Sequence, residues 1–289
     1  MPTIASNGIT LAYEIVGDPS AEPLLLIHGL GAQMTDWPDY AVEGLVAQGF
    51  RVIMFDNRDV GASTWFDEAG EPDVAALLFG TGGSVPYLLS DMAADAAGLL
   101  GALGVDSAHV LGVSMGGMIA QQFAIDHPQL TRSLTSIMST PDPAVSPPAD
   151  AAIGALMAPA VAEREAAIEQ SIATTRIIAS PGFPFDEVGV RARAEVHFDR
   201  GHHPVGAVRQ LAAILSSPDR RPGLAGLEMP VLVVHGDADI LVTPGGGEAT
   251  AGAVAHAEVW VVEGMGHDLP VEVAGELVAR VGALAGVSA

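Results

Sequence analysis

Short apolar runs alternate with longer amphipathic stretches along most of the chain. Residues 24–27, 52–55 and 109–113 are continuous apolar runs, a pattern typical of parallel strands buried on both faces. Amphipathic stretches at residues 91–103, 117–126 and 271–284 indicate helices. Ser90 is the expected N-cap of the first of these helices and Gly104 its C-terminal stop. Further strands are predicted at residues 9–16, 134–138, 231–234 and 259–262. The alternation predicts an α/β domain with a mostly parallel sheet between helices.

The middle of the chain breaks this rhythm. Residues 141–222 begin and end with proline-rich segments and contain Ala-rich, helix-like stretches instead of buried strands. The pattern predicts helices at residues 151–157, 160–172, 188–198 and 205–215. We therefore expect a core formed by residues 1–140 and 223–289, with residues 141–222 as a helical cap over the C-terminal edge of the sheet.

The composition excludes several classes of function. The 289 residues suffice for one large domain, and 35 acidic against 12 basic residues, all arginine, give a net charge of −23. Such a surface repels phosphate backbones, so nucleic acid is not an expected partner. The chain has no cysteine, which excludes disulfides and thiolate catalysis. No apolar stretch approaches the roughly 20 residues of a membrane helix, and no secretion signal is recognisable. We expect a cytoplasmic monomer or homodimer.

A Gly-x-Ser-x-Gly pattern marks the first candidate for chemistry. Ser114 lies between Gly112 and Gly116, after a predicted strand and before a predicted helix. On such a turn a serine is exposed at the top of the sheet, because the glycines leave room for a sharp strand-to-helix turn. A serine is a weak nucleophile, so the turn also predicts a neighbouring base and an oxyanion site.

The base and its orienting acid are expected at the ends of two other strands. His267 follows the last predicted strand, so its loop opens on the same edge of the sheet as Ser114. Asp239 and Asp237 both follow the strand at residues 231–234. Asp239 is favoured as the acid because it lies further into the loop, whereas Asp237 suits a turn-capping role. Asp142, after the strand at residues 134–138, is a third candidate.

The chain order Ser114, Asp239, His267 resembles that of the α/β-hydrolase superfamily. This resemblance covers nearly all of the chain outside the cap and implies an α/β-hydrolase fold. It also implies that the backbone N–H groups of Leu30, in the His-Gly segment 28–31, and Met115 form the oxyanion hole. Residues 56–63 resemble the family's Asp-x-Arg-x-x-Gly-x-Ser loop, in which Arg58 and Ser63 are interpreted as bracing groups; His28 is given a similar structural role.

Within the superfamily, residues 57–59, 114–117 and 182–186 look most like a bacterial carboxylesterase group that includes aclacinomycin methylesterase. The resemblance implies a serine carboxylesterase that forms an acyl-enzyme from a small or medium, largely apolar ester, a methyl ester being one candidate. It implies no cofactor and no metal. Met34, Trp37, Phe183 and Phe185, together with Met115, are candidates for the substrate pocket, although ordinary packing explains each of them equally well.

Several alternatives keep the same three residues. A lactonase, a C–C bond hydrolase or a cofactor-free perhydrolase would use them on another substrate, and a non-catalytic ligand receptor could carry them unused. Haloalkane dehalogenases and epoxide hydrolases are disfavoured, since those families have aspartate at the position of Ser114. His197, His202 and His203 could suggest a metal, but solvated cap residues are the favoured interpretation.

Overall fold

An eight-stranded sheet in the order β1-β2-β4-β3-β5-β6-β7-β8 forms the centre of the molecule, in a computed structural model that describes residues 1–287. The strands β1 and β2 pair antiparallel, as do β2 and β4, and all other neighbours are parallel. The strands are β1 (Thr3–Ser6), β2 (Ile9–Val16), β3 (Glu22–Ile27), β4 (Phe50–Phe55), β5 (Ala108–Val113), β6 (Thr131–Ile137), β7 (Val231–Gly236) and β8 (Glu258–Val262).

Eleven α-helices in the described residues flank this sheet or lie above its C-terminal edge. They are α1 (Asp39–Ala47), α2 (Val74–Leu78), α3 (Leu89–Ala102), α4 (Met115–Asp126), α5 (Asp150–Leu156), α6 (Arg164–Ile178), α7 (Glu187–Gly201), α8 (Pro204–Ser216), α9 (Arg221–Leu224), α10 (Gly245–Ala253) and α11 (Val271–Ala285). None of these helices has the length and apolar character needed to cross a bilayer.

Two apolar cores lie on opposite faces of the sheet. In β7, Val231 and Val233 belong to the core that includes α3 and α4, whereas Leu232 and Val234 belong to the core that includes α11. Alternate side chains of a strand point to opposite faces, so a strand covered on both sides must be apolar at every position. This explains why the parallel strands were recognisable as short continuous apolar runs.

The predicted mostly parallel sheet is therefore confirmed, with one strand more than the seven expected. The additional strand, β1, forms a hairpin with β2 through Asn7 and Gly8, whose φ angles are 47° and 80°. The prediction of Ser90 as a helix N-cap was wrong. Helix α3 begins at Leu89 after Leu88, whose N–H donates to the Asp91 carboxylate (2.8 Å), so that Ser90 lies within the first turn.

The chain between β6 and β7 contains helices α5 to α9. The helix expected at residues 160–172 instead spans Arg164–Ile178, with Glu163 as its N-cap. The boundary expected between residues 222 and 223 falls inside α9. Two buried carboxylates of the loop after β4 bind this segment: Asp56 pairs with Arg200 of α7 (2.9 Å) and Asp59 with Arg209 of α8 (2.7 Å).

Candidate active site

Ser114 occupies a strained turn between β5 and α4. Its φ of 55° and ψ of −124° are unusual for a non-glycine residue and cost free energy that the surrounding packing must offset. A β-carbon on Gly112 would lie 2.1 Å from the carbonyl oxygen of Gly116, and one on Gly116 would lie 2.0 Å from that of Ile27. Both glycines are therefore required for the close approach that brings the start of α4 against the end of β3.

The structure brings Ser114, His267 and Asp239 into one chain of hydrogen bonds. His267 Nε2 lies 2.9 Å from Ser114 Oγ, and His267 Nδ1 lies 2.7 Å from Asp239 Oδ2. The Asp239 side chain is fully buried and that of His267 is 7% exposed. Nucleophile, imidazole and carboxylate in this order form the arrangement that activates a serine for attack on a carbonyl.

Backbone groups hold the Asp239 carboxylate in place. Its Oδ1 accepts hydrogen bonds from the N–H groups of Leu241 (2.8 Å) and Val242 (3.0 Å), which leaves Oδ2 for His267. The other two candidate acids lie elsewhere. Asp237 accepts from the N–H of Gly264 (2.7 Å), and Asp142 accepts from that of Ala144 (2.9 Å). Only Asp239, among these three candidates, contacts the imidazole.

A second histidine next to Asp239 was missed in the sequence. His235 Nε2 donates to the carbonyl oxygen of Val242 (2.7 Å) and lies 3.6 Å from Asp239 Oδ2. Burial lowers the pKa of His235, and within the described residues its Nδ1 has no hydrogen-bond partner. With its Nε2–H bound to Val242, the ring helps to hold the loop that carries Asp239 and makes no hydrogen bond to that carboxylate. The only signal for His235 in the sequence was its position directly after the apolar run 231–234.

The His-Gly loop after β3 lies directly against the nucleophile turn. A β-carbon on Gly29 would be 3.2 Å from that of Ser114. The side chain of Asn57 donates to the carbonyl of His28 (3.1 Å), and the N–H of Gly31 donates to Gln210 Oε1 (2.7 Å), which together fix the loop. Burial lowers the pKa of His28, and its structural role stays a prediction.

The two residues predicted to form the oxyanion hole, Leu30 and Met115, are chain neighbours of residues in contact at the turn, Gly29 and Ser114. Leu30 follows Gly29, and Met115 is the first residue of α4. Neither N–H donates to an acceptor within the described residues. Free N–H groups beside a nucleophile, one of them at a helix N-terminus, are suited to binding an oxygen that becomes negative.

The bracing groups of the loop after β4 lie where the sequence suggested. The Arg58 guanidinium forms two hydrogen bonds with the buried Asp95 carboxylate (2.6 and 2.7 Å). Ser63 Oγ donates to the carbonyl of Asp56 (2.6 Å) and accepts from the N–H of Ala12 (3.0 Å). Neither side chain contacts Ser114 or His267, so both hold the loop instead of reacting.

The four predicted pocket residues do not form one group. Met34 and Trp37 are buried in the α11-side core, and Phe183 packs against that core. Phe185 instead packs in a small cluster within the inserted helices. Phe183 and Phe185 nevertheless share a cavity of about 440 Å³, which is also lined by Ala238 and Ile240 on either side of Asp239.

His197, His202 and His203 are partly buried, and each has a contact within the protein. His197 Nδ1 lies 2.8 Å from Asp36 Oδ2, and His202 Nε2 lies 3.1 Å from the carbonyl of Val161. His203 stacks on Trp65 with ring centroids 4.0 Å apart. All three line a cavity of about 180 Å³ beside Gly31. Within residues 1–287, no set of three His, Asp or Glu side chains has a geometry that could hold a metal ion.

Comparison with known proteins identifies the family. Residues 22–181 match the alpha/beta hydrolase fold family, and the chain belongs to it. The predicted fold and family are thereby confirmed.

Two relatives are similar over almost their entire length. Rhodomycin D methylesterase DauP of Streptomyces sp. (strain C5) is 30% identical, with 97% of each chain covered. Rhodomycin D methylesterase DnrP of Streptomyces peucetius is 31% identical, again with 97% of each chain covered. These relatives agree with the predicted similarity to bacterial methylesterases.

Solved structures share the fold at lower identity. The enol-lactonase from Burkholderia xenovorans LB400 superposes with a TM-score of 0.73 at 23% identity, covering 99% of this chain and 98% of that one. A serine-to-alanine mutant of the meta-cleavage product hydrolase CumD from Pseudomonas fluorescens IP01 gives 0.77 at 18% identity, covering 98% and 97%.

Proposed function

We propose that the protein is a serine carboxylesterase that hydrolyses a small or medium, largely apolar ester through an acyl-enzyme, a methyl ester being the first candidate. The hydrogen-bonded chain from Asp239 through His267 to Ser114 carries this proposal. The names of the two full-length relatives, both methylesterases, support the choice of an ester and of methanol as the leaving alcohol.

The proposed reaction starts with Ser114 Oγ attacking the ester carbonyl carbon while His267 Nε2 takes its proton. The resulting oxyanion would be bound by the N–H groups of Leu30 and Met115. Collapse of this tetrahedral species expels the alcohol, which receives the proton from His267, and leaves an acyl group on Ser114. Water then attacks the acyl carbon with His267 again as base, and the carboxylic acid is released as the proton returns to Ser114.

Asp239 would act on this reaction through His267. Its carboxylate accepts the Nδ1–H, so Nε2 is left free to take the serine proton, and its negative charge stabilises the imidazolium that forms. His235, whose ring lies beside the same carboxylate, would help to hold the loop that carries Asp239 through its hydrogen bond to the carbonyl of Val242. His267 would be the acid and the base throughout, Ser114 the nucleophile of the first half of the reaction and water that of the second.

We further propose that residues 141–222 form the cap over this site. The cavity lined by Phe183 and Phe185 supports a largely apolar substrate, since most of its lining is apolar, with Arg176 as the charged residue, and it adjoins the residues on either side of Asp239. Apolar pockets with a few polar groups are the usual form of small-molecule sites.

Replacing Ser114 tests the nucleophile. We expect Ser114→Ala to lower kcat for p-nitrophenyl butyrate by on the order of 10⁴-fold or more, because the residual rate comes only from binding and oxyanion stabilisation. Ser90→Ala, at an exposed serine in α3, is the matched control and should retain full activity. Undiminished hydrolysis by Ser114→Ala would contradict the proposal.

A substrate panel separates this function from its alternatives. We expect methyl and aryl esters to give higher kcat/KM values than lactones or ring-cleavage diketones of similar size. Lactones or diketones as the best substrates would favour the lactonase or the C–C bond hydrolase. Tight binding of an ester without turnover would indicate a receptor.

A further inference from the structure

The loop that carries His267 is bound to the segment that follows α6. The N–H of His267 donates to the carbonyl of Ile178 (2.7 Å), and the N–H of Gly182 donates to that of Gly264 (2.9 Å). Between these two bonds, the N–H of Gly266 donates to Ser180 Oγ (2.8 Å). Residues 178–182 and 264–268 thus form one hydrogen-bonded unit, which we call the base clamp.

Ser180 and Asp268 connect the two halves of the base clamp. The N–H of Ser180 donates to Asp268 Oδ1 (2.9 Å), and its hydroxyl donates to the same oxygen while it accepts from Gly266. Ser180 is 6% exposed. Burial raises the pKa of the Asp268 carboxyl, and the two hydrogen bonds from Ser180 oppose this rise. Asp268 is thus a partly buried acid next to His267 whose partner is Ser180, and no proposed step of the reaction uses it.

The two backbones of the base clamp are in direct contact. A β-carbon on Gly264, whose φ is 72°, would lie 2.8 Å from Cα of Gly182, and one on Gly266 would lie 2.6 Å from the carbonyl oxygen of Ala179. With no side chain between the backbones, a shift of residues 178–182 is transmitted directly to residues 264–268.

The position of the imidazole depends on this contact. His267 lies in a loop, and its ring has two hydrogen bonds, to Asp239 and to Ser114. A displacement of about 1 Å at a reacting group can cost on the order of 100-fold in rate. The backbone of His267 is anchored by Ile178, and that of the preceding residue by Ser180. The chain after α6 therefore sets how well Nε2 is aligned with Ser114 Oγ.

We infer that Ser180 and Asp268 are positioning residues, which act through the His267 backbone to align the base with Ser114. This inference rests on the proposed function, because it takes His267 as the base that activates Ser114.

Variants of Ser180 and Asp268 test the inference, because a residue that only aligns the base should affect kcat and leave KM nearly unchanged. We expect Ser180→Ala and Asp268→Ala each to lower kcat for p-nitrophenyl butyrate by about 10- to 100-fold, with KM changed by less than about 3-fold. Asp268→Asn keeps an oxygen acceptor for Ser180 and should retain most of the activity. Because both residues act through one contact, the double variant Ser180→Ala/Asp268→Ala should be no slower than the slower single variant. Asp186→Ala removes an equivalent bond to the N–H of Gly189 in α7 and should leave kcat unchanged.

The rate at which a fluorophosphonate labels Ser114 gives a second readout that needs no substrate. In Ser180→Ala and Asp268→Ala, the labelling rate should fall in parallel with kcat. Their circular dichroism spectra should match that of the wild type. If the wild type labels and turns over esters, and both variants do so at the full wild-type rates, the inference about the base clamp is overturned and the proposed function stands. Strictly additive losses in the double variant would also overturn it. A wild type that neither labels nor turns over esters would overturn the proposed function and the base clamp together.

Discussion

Three aspartates follow strands at the edge of the sheet that carries Ser114, and one substitution at each distinguishes them. Asp239→Asn would present an amide to His267 Nδ1 and favour the wrong tautomer, so we expect kcat to fall on the order of 10⁴-fold. Asp237→Asn keeps an oxygen for the N–H of Gly264, and Asp142→Asn keeps one for Ala144. Ester hydrolysis by both controls should stay within a few-fold of the wild type. A larger loss in either control than in Asp239→Asn would contradict the assignment of the acid.

The meeting of the three proposed catalytic residues could be predicted because chain topology brings them together. Ser114, Asp239 and His267 each follow a parallel strand, and the carboxyl ends of parallel strands meet at one edge of the sheet. The supporting residues could not be predicted in this way. Ser180 meets Asp268 across 88 positions of sequence, and no local pattern indicates that a loop after α6 contacts a loop after β8.

At the scale of elements, the sequence predicted best the strands that are buried on both faces of the sheet. Strands covered on both faces are recognisable as apolar runs, but β1 is an edge strand of just four residues, which alternate between exposed and partly or fully buried. Its Asn7-Gly8 turn is nevertheless a strong hairpin signal that was available in the sequence. The contacts of His197, His202 and His203 were not predicted, for a different reason. Their partners, among them Asp36 and Trp65, belong to core loops whose position depends on how the inserted helices dock.

The ion pair between Asp59 and Arg209 joins the loop after β4 to α8 and has no contact with solvent. Both side chains are fully buried, and Tyr87 also donates to the carboxylate (2.6 Å). Arg209→Leu would leave Asp59 buried without its counter-charge, so we expect a loss of about 3–5 kcal/mol in the free energy of unfolding, measured with urea. Arg164→Leu breaks the exposed pair with Asp199 and should cause little measurable change. Equal losses in the two variants would contradict a structural role for the buried pair.

At the scale of the whole molecule, the charge balance and the buried histidines have separate effects on stability. The net charge of −23 is that of the chain with its histidines neutral, and carboxyl groups ordinarily ionise near about pH 4, so protons taken up between pH 7.5 and 5.5 go mainly to histidines. Histidines of the unfolded chain take up protons in this range. The pH dependence of unfolding between these limits therefore reports mainly on histidine burial, with an opposing contribution from carboxyls such as Asp268, whose pKa burial raises.

Burial lowers the pKa of His28, His109 and His235 in the folded protein. Because the unfolded chain then binds more protons below about pH 6.5, their stabilising contribution is complete above that pH. It is lost progressively as the pH falls toward the lowered values. We expect the urea unfolding free energy to decrease from pH 7.5 to 5.5, by at most about 1.4 kcal/mol per pH unit for each proton taken up. His109→Gln, remote from Ser114, should reduce this slope, whereas the exposed His256→Gln should leave it unchanged. A slope unaffected by His109→Gln would show that this imidazole is protonated equally well in the folded and unfolded chain.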